Sequence, residues 1–164
     1  MERMIMAGSK PYKIRASAGA LVLYKAQFGV DYTEEIAELK DGDEESAYII
    51  GCRLLWAMAR SVKEKLPTPN EFINGMKPKE LVQALKTSQE LFALSLGSRD
   101  DSDYGEEQNF SAEELMADAA LCGMSLRDLN ELPLRMVIDT INKYAEKRWG
   151  DGGEYVSSSE FFGE

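Results

Sequence analysis

The sequence predicts an all-α protein of 164 residues, with a compact N-terminal domain of four to five helices, an acidic linker and a small three-helix C-terminal part. Apolar residues recur at helical spacing through most of the chain, and the periodic segments begin at capping residues and end at glycine or proline. Between two of them lies "GSRDDSDYGEEQN", which has no apolar periodicity. The predicted organisation is a domain over 1–97, a flexible linker over 98–109, a helical part over 110–149 and a disordered tail over 150–164.

The first two helices are short and are bounded by cap signals. One is predicted over 18–28 after a short extended segment, with Ser17 placed to cap its start and Gly29 to end it in a left-handed conformation. The next, over 31–39, opens with an Asp-x-x-Glu variant of the capping box.

The third helix, predicted over 44–65, is apolar over most of its circumference. Only a narrow stripe is predicted to face water, through Arg53, Ala57, Arg60 and Glu64. A helix of this kind is normally buried on several sides, so we expect it to be the central helix of the first domain. The prolines of "LPTPN" end it, because they remove backbone donors and hold the chain extended.

A short helical turn at 71–74 and a long helix over 78–96 complete the predicted first domain. Pro78 suits the first position of a helix, where its missing N–H has no intrahelical partner to lose. The inward face is predicted to carry Leu81, Leu85, Ser88 and Phe92. The opposite face is charged or polar, which makes the helix amphipathic.

Three more helices are predicted after the linker. Capping boxes begin at Ser111 and Ser125 and mark the starts of the first two. The third, over about 134–148, carries Asp139 and Lys143 at the i,i+4 spacing of an ion pair. About forty residues are near the lower limit for independent folding, so we expect this part to fold on a partner or to pack on the first domain.

The net charge is divided unevenly along the chain. Residues 1–97 carry 13 Lys/Arg and 13 Asp/Glu, whereas residues 98–164 carry 6 Lys/Arg and 16 Asp/Glu, a difference of −10. An acidic surface repels phosphate backbones, and the first domain has no clustered basic stripe. The charge therefore disfavours nucleic acid and favours a protein partner.

The residues offer little for catalysis or for holding a cofactor. The chain has no histidine, the commonest general base near neutral pH, and it has no Gly-rich phosphate loop or nucleophile motif. The acidic cluster at 100–107 has part of the spacing of a calcium loop but lacks the ordered EF-hand ligands. No catalytic, cofactor or metal site is predicted, and a non-enzymatic role is expected.

Cysteine and hydropathy patterns bear on the compartment. Cys52 and Cys122 fall within apolar helical patterns, which predicts buried free thiols and a reducing compartment. The longest apolar run, "AYIIGCRLLWAMA", is too short to span a bilayer and is interrupted by Arg53, and the N-terminus lacks a secretory signal pattern. We expect a cytoplasmic protein without a membrane partner.

Parts of the sequence are also compatible with two other functional classes. Residues 123–144 fit a helix-turn-helix, but Asp139 and Glu146 on the last helix would make it a poor DNA reader. An acidic interaction module, or a DNA mimic that inhibits a host protein, would explain the charge of −10. It would not explain the neutral, apolar first domain.

Four segments together resemble a known family. They are "YKIRASAGALVLYKAQFGVD" with an acidic helix after it, "AYIIGCRLLWAMAR", "LPTPNEFI" and "LMADAALCGMSLRDLNELPLRMVIDTINKY". Their layout is similar to that of the tail assembly chaperones of long-tailed (siphovirus-type) phages and prophages of Gram-positive hosts, in the longer two-part form. The resemblance covers about residues 12–148 and is one of layout, because this family has no invariant catalytic motif.

This resemblance implies a role in virion morphogenesis. The first domain would bind and solubilise the tape measure protein, and the part over 110–149 would recruit tail tube protein subunits in the host cytoplasm. In this family a translational frameshift often appends the second part near the polar segment. A tether of about a dozen residues would hold two binding modules at high effective concentration.

Candidate protein-binding residues are large apolar or adaptable side chains on the predicted helices, together with one arginine. Amphipathic partner helices dock into apolar grooves, and methionines adapt to varied partners. The candidates are Leu54, Trp56, Met58, Leu81, Leu85, Phe92, Met124 and Arg135. The same surfaces would permit self-association.

Overall fold

The computed structural model describes residues 1–97 and 111–149, so the predicted linker over 98–109 and the predicted tail over 150–164 lie outside the described residues. In chain order the elements are β1 (Glu2–Ala7), β2 (Lys10–Arg15), α1 (Ala18–Phe28), α2 (Tyr32–Glu38), α3 (Glu44–Arg60), α4 (Pro69–Asn74), α5 (Pro78–Leu96), α6 (Ala112–Leu121), α7 (Leu126–Glu131) and α8 (Leu134–Trp149).

The all-α prediction is wrong, because the helix-rich chain begins with an antiparallel β-hairpin. β1 and β2 pair in register, with Glu2 opposite Arg15. The turn residues Gly8 and Ser9 both have positive φ, 59° and 66°. Two-residue hairpin turns favour this conformation, because its twist matches that of the flanking strands.

One face of the hairpin contributes to the hydrophobic core. Ile5, Ala7 and Ile14 are buried, with β1 against α5 and β2 against α3. Tyr12 meets Phe72 of α4 edge to face, with 5.3 Å between the ring centroids. Because strand side chains alternate between faces, the residues between these positions point away from the core.

α3 is the central helix, as the sequence predicts, although it ends at Arg60, five residues earlier than expected. Its side chains from Leu54 to Ala59 are all buried. They include Ala57, which the sequence predicts to face water. The segment after α3 folds back along it, because Trp56 donates a hydrogen bond from Nε1 to the carbonyl of Pro67 at 3.0 Å.

The predicted boundaries of α1 and α5 are confirmed. Ser17 Oγ accepts a hydrogen bond from the backbone N–H of Ala20 at 3.3 Å, which caps the start of α1. Gly29 then ends this helix with φ of 76°, in the left-handed region that glycine adopts without strain. α5 begins at Pro78, as predicted.

The buried stripe of α5 is rotated from the predicted one. Its fully buried residues are Ala84, Ser88, Leu91 and Ser95. The predicted inward residues Leu81, Leu85 and Phe92 lie beside this stripe and are half-buried. Small residues are buried here because α3 and α5 lie against each other, and the Ser88 hydroxyl is satisfied by donating to the carbonyl of Leu85 at 2.8 Å.

The capping boxes predicted for α6 and α7 are confirmed. Ser111 Oγ and Ser125 Oγ each accept from the backbone N–H three residues ahead, at 3.1 and 3.2 Å. The ion pair predicted on α8 is different. Asp139 pairs with Arg135 at 2.9 Å, one turn before it, rather than with Lys143 one turn after it.

The three C-terminal helices pack on the first part of the chain. α6 and α7 contact α1, and α8 contacts α5. Six of their residues belong to the same hydrophobic core as α1, α3 and the hairpin: Leu115, Ala119, Leu129, Leu134, Val137 and Ile141. The described parts of the chain therefore share one core, whereas separate folding of residues 1–97 stays a prediction.

Candidate protein-binding surfaces

The predicted binding residues on α3 lie inside the molecule. Leu54, Trp56 and Met58 are at most 6% exposed. Trp56 also contacts the ring of Phe28, with 6.0 Å between centroids. In this structure these side chains support the helix surface from within, and a partner could touch them only after α3 separated from its neighbours.

The other predicted binding residues are half-buried. Leu81, Leu85 and Met124 pack against the core without belonging to it. Phe92 meets Tyr32 edge to face, with 5.1 Å between ring centroids. Arg135 pairs with Asp139, as described above. The eight predicted residues thus lie on three separate helices and one loop, and none of them is among the fully exposed residues.

Two helices that contact each other, α2 and α3, expose large apolar side chains that the sequence did not identify. Ile36, Tyr48 and Ile49 are each 41% to 49% exposed; we call these three residues the α2–α3 surface. On α3, burial begins only at Ile50. The first two turns of α3 therefore extend beyond the core and carry large apolar side chains into solvent.

A polar network holds α2 in place beside α3. Arg53 donates to one carboxylate oxygen of Glu35 at 2.7 Å, and the Tyr24 hydroxyl donates to the other. The Arg53 guanidinium also lies 5.1 Å from the centroid of the Phe28 ring. Since α2 has no fully buried residue, these contacts compensate for its small apolar burial and fix the geometry of the α2–α3 surface.

Two tyrosines in this region have pKa values above the ordinary one. Burial, together with the Glu35 carboxylate, raises the pKa of Tyr24 far above its usual value. Burial alone raises the pKa of Tyr32 to about 12. The Tyr24 hydroxyl therefore remains a hydrogen-bond donor to Glu35 at any physiological pH.

The C-terminal helices expose a second group of large apolar side chains. Leu121, Leu126 and Met136 are each 50% to 62% exposed; we call them the C-terminal apolar set. They come from α6, α7 and α8, whose opposite sides face the core. Both parts of the described chain thus carry exposed apolar residues of their own.

Asp31 connects the two parts instead of capping its own helix. The sequence predicts a capping box, but the Asp31 side chain makes no capping hydrogen bond to α2. One of its oxygens accepts from the backbone N–H of Ala112 at 2.7 Å, and the other pairs with Lys25 at 2.9 Å. Asp31 thereby satisfies one of the free N–H groups at the start of α6.

Two further contacts fix α7 against the first part. The Arg15 guanidinium donates to the carbonyl of Asn130 at 3.0 Å. Gly19 of α1 lies so close to α7 that a Cβ atom there would be 1.8 Å from Asn130 Oδ1. The packing of α7 on α1 therefore depends on the missing side chain at position 19.

The described residues offer few groups for reactive chemistry. They contain no group of three or more His, Cys, Asp or Glu side chains that could hold a metal ion. Cys52 and Cys122 are free thiols, and burial raises the pKa of both. No helix in the described ranges is both long and apolar enough to cross a membrane.

The three C-terminal helices carry less negative charge than the net charge of −10 for residues 98–164 suggests. Residues 111–149 carry 5 Lys/Arg and 7 Asp/Glu, a difference of −2. Residues 98–110 and 150–164, outside the described ranges, contribute −4 each. The described helices are therefore nearly neutral, which does not favour a DNA mimic.

No family model, curated protein or solved structure matches the chain.

Proposed function

We propose that this chain is a tail assembly chaperone of a long-tailed phage or prophage, acting without enzymatic activity in the host cytoplasm. Its role is to keep the tape measure protein soluble and to recruit tail tube subunits. The resemblance over residues 12–148 suggests the family. The observation that carries the proposal is that each part of the described chain exposes its own group of large apolar side chains.

In this proposal the α2–α3 surface binds the tape measure protein. Its three residues are contributed by two contacting helices, and the bond from Arg53 to Glu35 holds these helices together. An amphipathic helix buries its apolar face against such a surface. Apolar burial also suits a chaperone, because it covers the side chains through which an unassembled helical protein aggregates.

The C-terminal apolar set is assigned to the tail tube protein. Leu121 and Met136 lie on α6 and α8, whose buried sides already pack on the first part. A partner bound there would contact other elements than one bound on α2 and α3. One chain could then hold both partners at once, which is what recruitment requires.

The assignment changes the role of the predicted residues on α3. Leu54, Trp56 and Met58 are buried, so in this proposal they stabilise the helix that carries Tyr48 and Ile49. Their substitution would weaken tape measure binding through loss of folding. Substitution of an exposed residue would weaken binding without loss of folding, which makes the two effects separable.

Co-expression with the tape measure and tail tube proteins of the same phage tests the proposal. We expect Ile49→Glu to leave the tape measure protein insoluble while tube capture persists, and Leu126→Glu to have the opposite effect. Val82→Glu is the matched control, because Val82 is 69% exposed and belongs to neither group. The proposal fails if the unmodified chain does not solubilise the tape measure protein, or if all three variants behave alike.

A further inference from the structure

A groove runs between the β-hairpin and the first half of α5. It has a volume of about 420 Å³ and is lined on one side by Met4, Ile5 and Met6 of β1. The other side is formed by Lys77 and by residues of α5 that include Lys79, Gln83, Ala84 and Thr87. β2 contributes no lining residue. The groove therefore lies along the edge of β1 that faces away from β2.

That edge of β1 has free backbone groups. Within the described chain, the backbone of residues 3–7 is hydrogen-bonded to β2 and makes no backbone hydrogen bond to another element. A strand edge of this kind presents a row of N–H and C=O groups that can pair with one more strand. α5 packs against the face of β1 that carries the buried residues Ile5 and Ala7, and residues of the helix also line the groove. An added strand would therefore lie beside β1 and over α5.

The side chains around the edge are apolar and adaptable. Met4 and Met6 are 56% and 46% exposed, so both thioether side chains are in contact with solvent. Methionine is unbranched and polarizable, and it adjusts to partner side chains of different shape. A strand paired with β1 would cover both thioethers.

The charge of the groove favours an acidic ligand. Lys77 and Lys79 are exposed, whereas the Glu80 carboxylate already accepts backbone N–H bonds from Lys77, Gly8 and Ser9 at 3.0, 3.0 and 3.3 Å. These three bonds lower the pKa of Glu80, and the bond from the Lys77 N–H has the largest effect. The carboxylate is thus committed to closing the hairpin onto α5. The Lys77 ammonium donates to the Ser9 hydroxyl at 3.4 Å but is exposed, as is that of Lys79, so both positive charges face the groove.

We propose that this groove binds an extended acidic peptide segment of a partner protein, which adds to β1 as a third strand. Main-chain hydrogen bonds to β1 provide the affinity, apolar side chains at alternate positions cover Met4 and Met6, and carboxylates face Lys77 and Lys79. This site is separate from the α2–α3 surface and the C-terminal apolar set. It does not depend on the proposed function.

The test uses an acetylated, amidated heptapeptide in which glutamate and valine alternate, titrated into the full chain. We expect saturable binding, and slower amide exchange of residues 3–7 in the complex. The same peptide with lysine in place of glutamate should bind at least about tenfold more weakly, because it meets the two lysines with like charge. A fully N-methylated peptide should not bind, because it cannot donate to the strand edge.

Two variants on α5 provide the matched comparison. Lys79→Glu should weaken binding of the acidic peptide about threefold to tenfold, and Lys86→Glu, the same change on the same helix outside the groove, less than about twofold. Equal binding of the three peptides, absence of saturable binding at millimolar peptide, or unchanged exchange of residues 3–7 would each overturn the proposal. So would a dimer of the chain alone that protects residues 3–7, since β1 would then pair with a second copy.

Discussion

Replacing Gly19 with alanine tests how closely α1 and α7 approach each other. A Cβ atom at this position would lie 1.8 Å from Oδ1 of Asn130 and 3.0 Å from its Cα. The amide side chain can rotate away. The Cα belongs to the backbone of α7, however, so the new methyl group must push the two helices apart.

Two opposing contributions set the expected change in the free energy of unfolding. Alanine is favoured over glycine in a helix by up to about 1 kcal/mol, and overpacking a close contact costs about 1 to 3 kcal/mol. Because the backbone Cα of Asn130 would lie only 3.0 Å from the new Cβ atom, we expect overpacking to dominate, with a net loss of about 1 to 2 kcal/mol. For a chain of this size, Tm should fall by about 2 to 8 °C.

Gly51→Ala is the matched control, since Gly51 also lies in a helix. A Cβ atom there would be 3.4 Å from the nearest atom, Cδ2 of Leu85, which is ordinary contact. This variant should be as stable as the unmodified chain or more so. Thermal and urea unfolding followed by circular dichroism, with amide exchange of α7, measure the difference. If Gly19→Ala is as stable as Gly51→Ala, the close approach of α1 and α7 is refuted.

Three further predictions concern the shared core. Asp31→Ala should lower the free energy of unfolding in urea by about 1 to 3 kcal/mol, because the N–H of Ala112 loses its acceptor; the exposed Asp41→Ala should change it by less than about 0.5 kcal/mol. Leu55→Ala should cost about 2 to 5 kcal/mol, and a loss below about 1 kcal/mol would contradict its complete burial. A chain of residues 1–97 should have a helical circular dichroism spectrum but a lower urea midpoint than the full chain. An unfolded spectrum would contradict a separate first domain, and an equal midpoint would contradict the shared core.

Helix boundaries were predictable where the controlling contact is local. Ser17, Ser111 and Ser125 each accept a backbone hydrogen bond from three residues ahead, so the residue spacing contains the whole interaction. Gly29 and Gly123 both have positive φ at helix ends, a conformation that the identity of the residue itself makes accessible. These features need no knowledge of the rest of the fold.

The β-hairpin was missed because its strands are short. Each has six residues, and the buried alternation in β1 amounts to Ile5 and Ala7 alone. An apolar-polar alternation of this length does not exclude a loop or a helix end. The Gly-Ser pair at the turn was the available signal, since glycine readily adopts the positive φ that such turns require.

The role of Asp31 could not be read from residue spacing. The pattern Asp-x-x-Glu predicts a cap on the following helix, but the carboxylate bonds to Ala112, which is 81 positions away. The Asp31 carboxylate could accept from an N–H group at the start of α2 or from the N–H of Ala112. Because α6 packs on α1, the Ala112 N–H lies within bonding distance and makes the bond. A residue pattern can predict which atoms are able to bond, but the fold determines which of the competing partners is close enough.

The exposed residues of α3 show the same limit for the candidate site. Tyr48 continues the apolar spacing that runs through Cys52 and Leu55, and this periodicity predicts that all three face inward. Only Cys52 and Leu55 are buried, because the residues of α3 before Ile50 extend beyond the core. Periodicity identifies the face of a helix that can be buried. The lengths of the elements that pack on the helix decide how much of that face is buried.

The shared core also affects how two binding activities could reside in one chain. Ala18, Ala20 and Leu21 of α1 are buried, and α1 contacts both α6 and α7. A shorter chain without α6 and α7 would expose part of the apolar face of α1. The α2–α3 surface would keep the bond from Arg53 to Glu35 that holds its two helices together, because both residues lie in the first part. Division of labour therefore does not require independent folding of the second part. It requires only that the two groups of exposed apolar side chains lie on different elements. The α2–α3 surface lies on α2 and α3, and the C-terminal apolar set lies on α6, α7 and α8, so this condition is met.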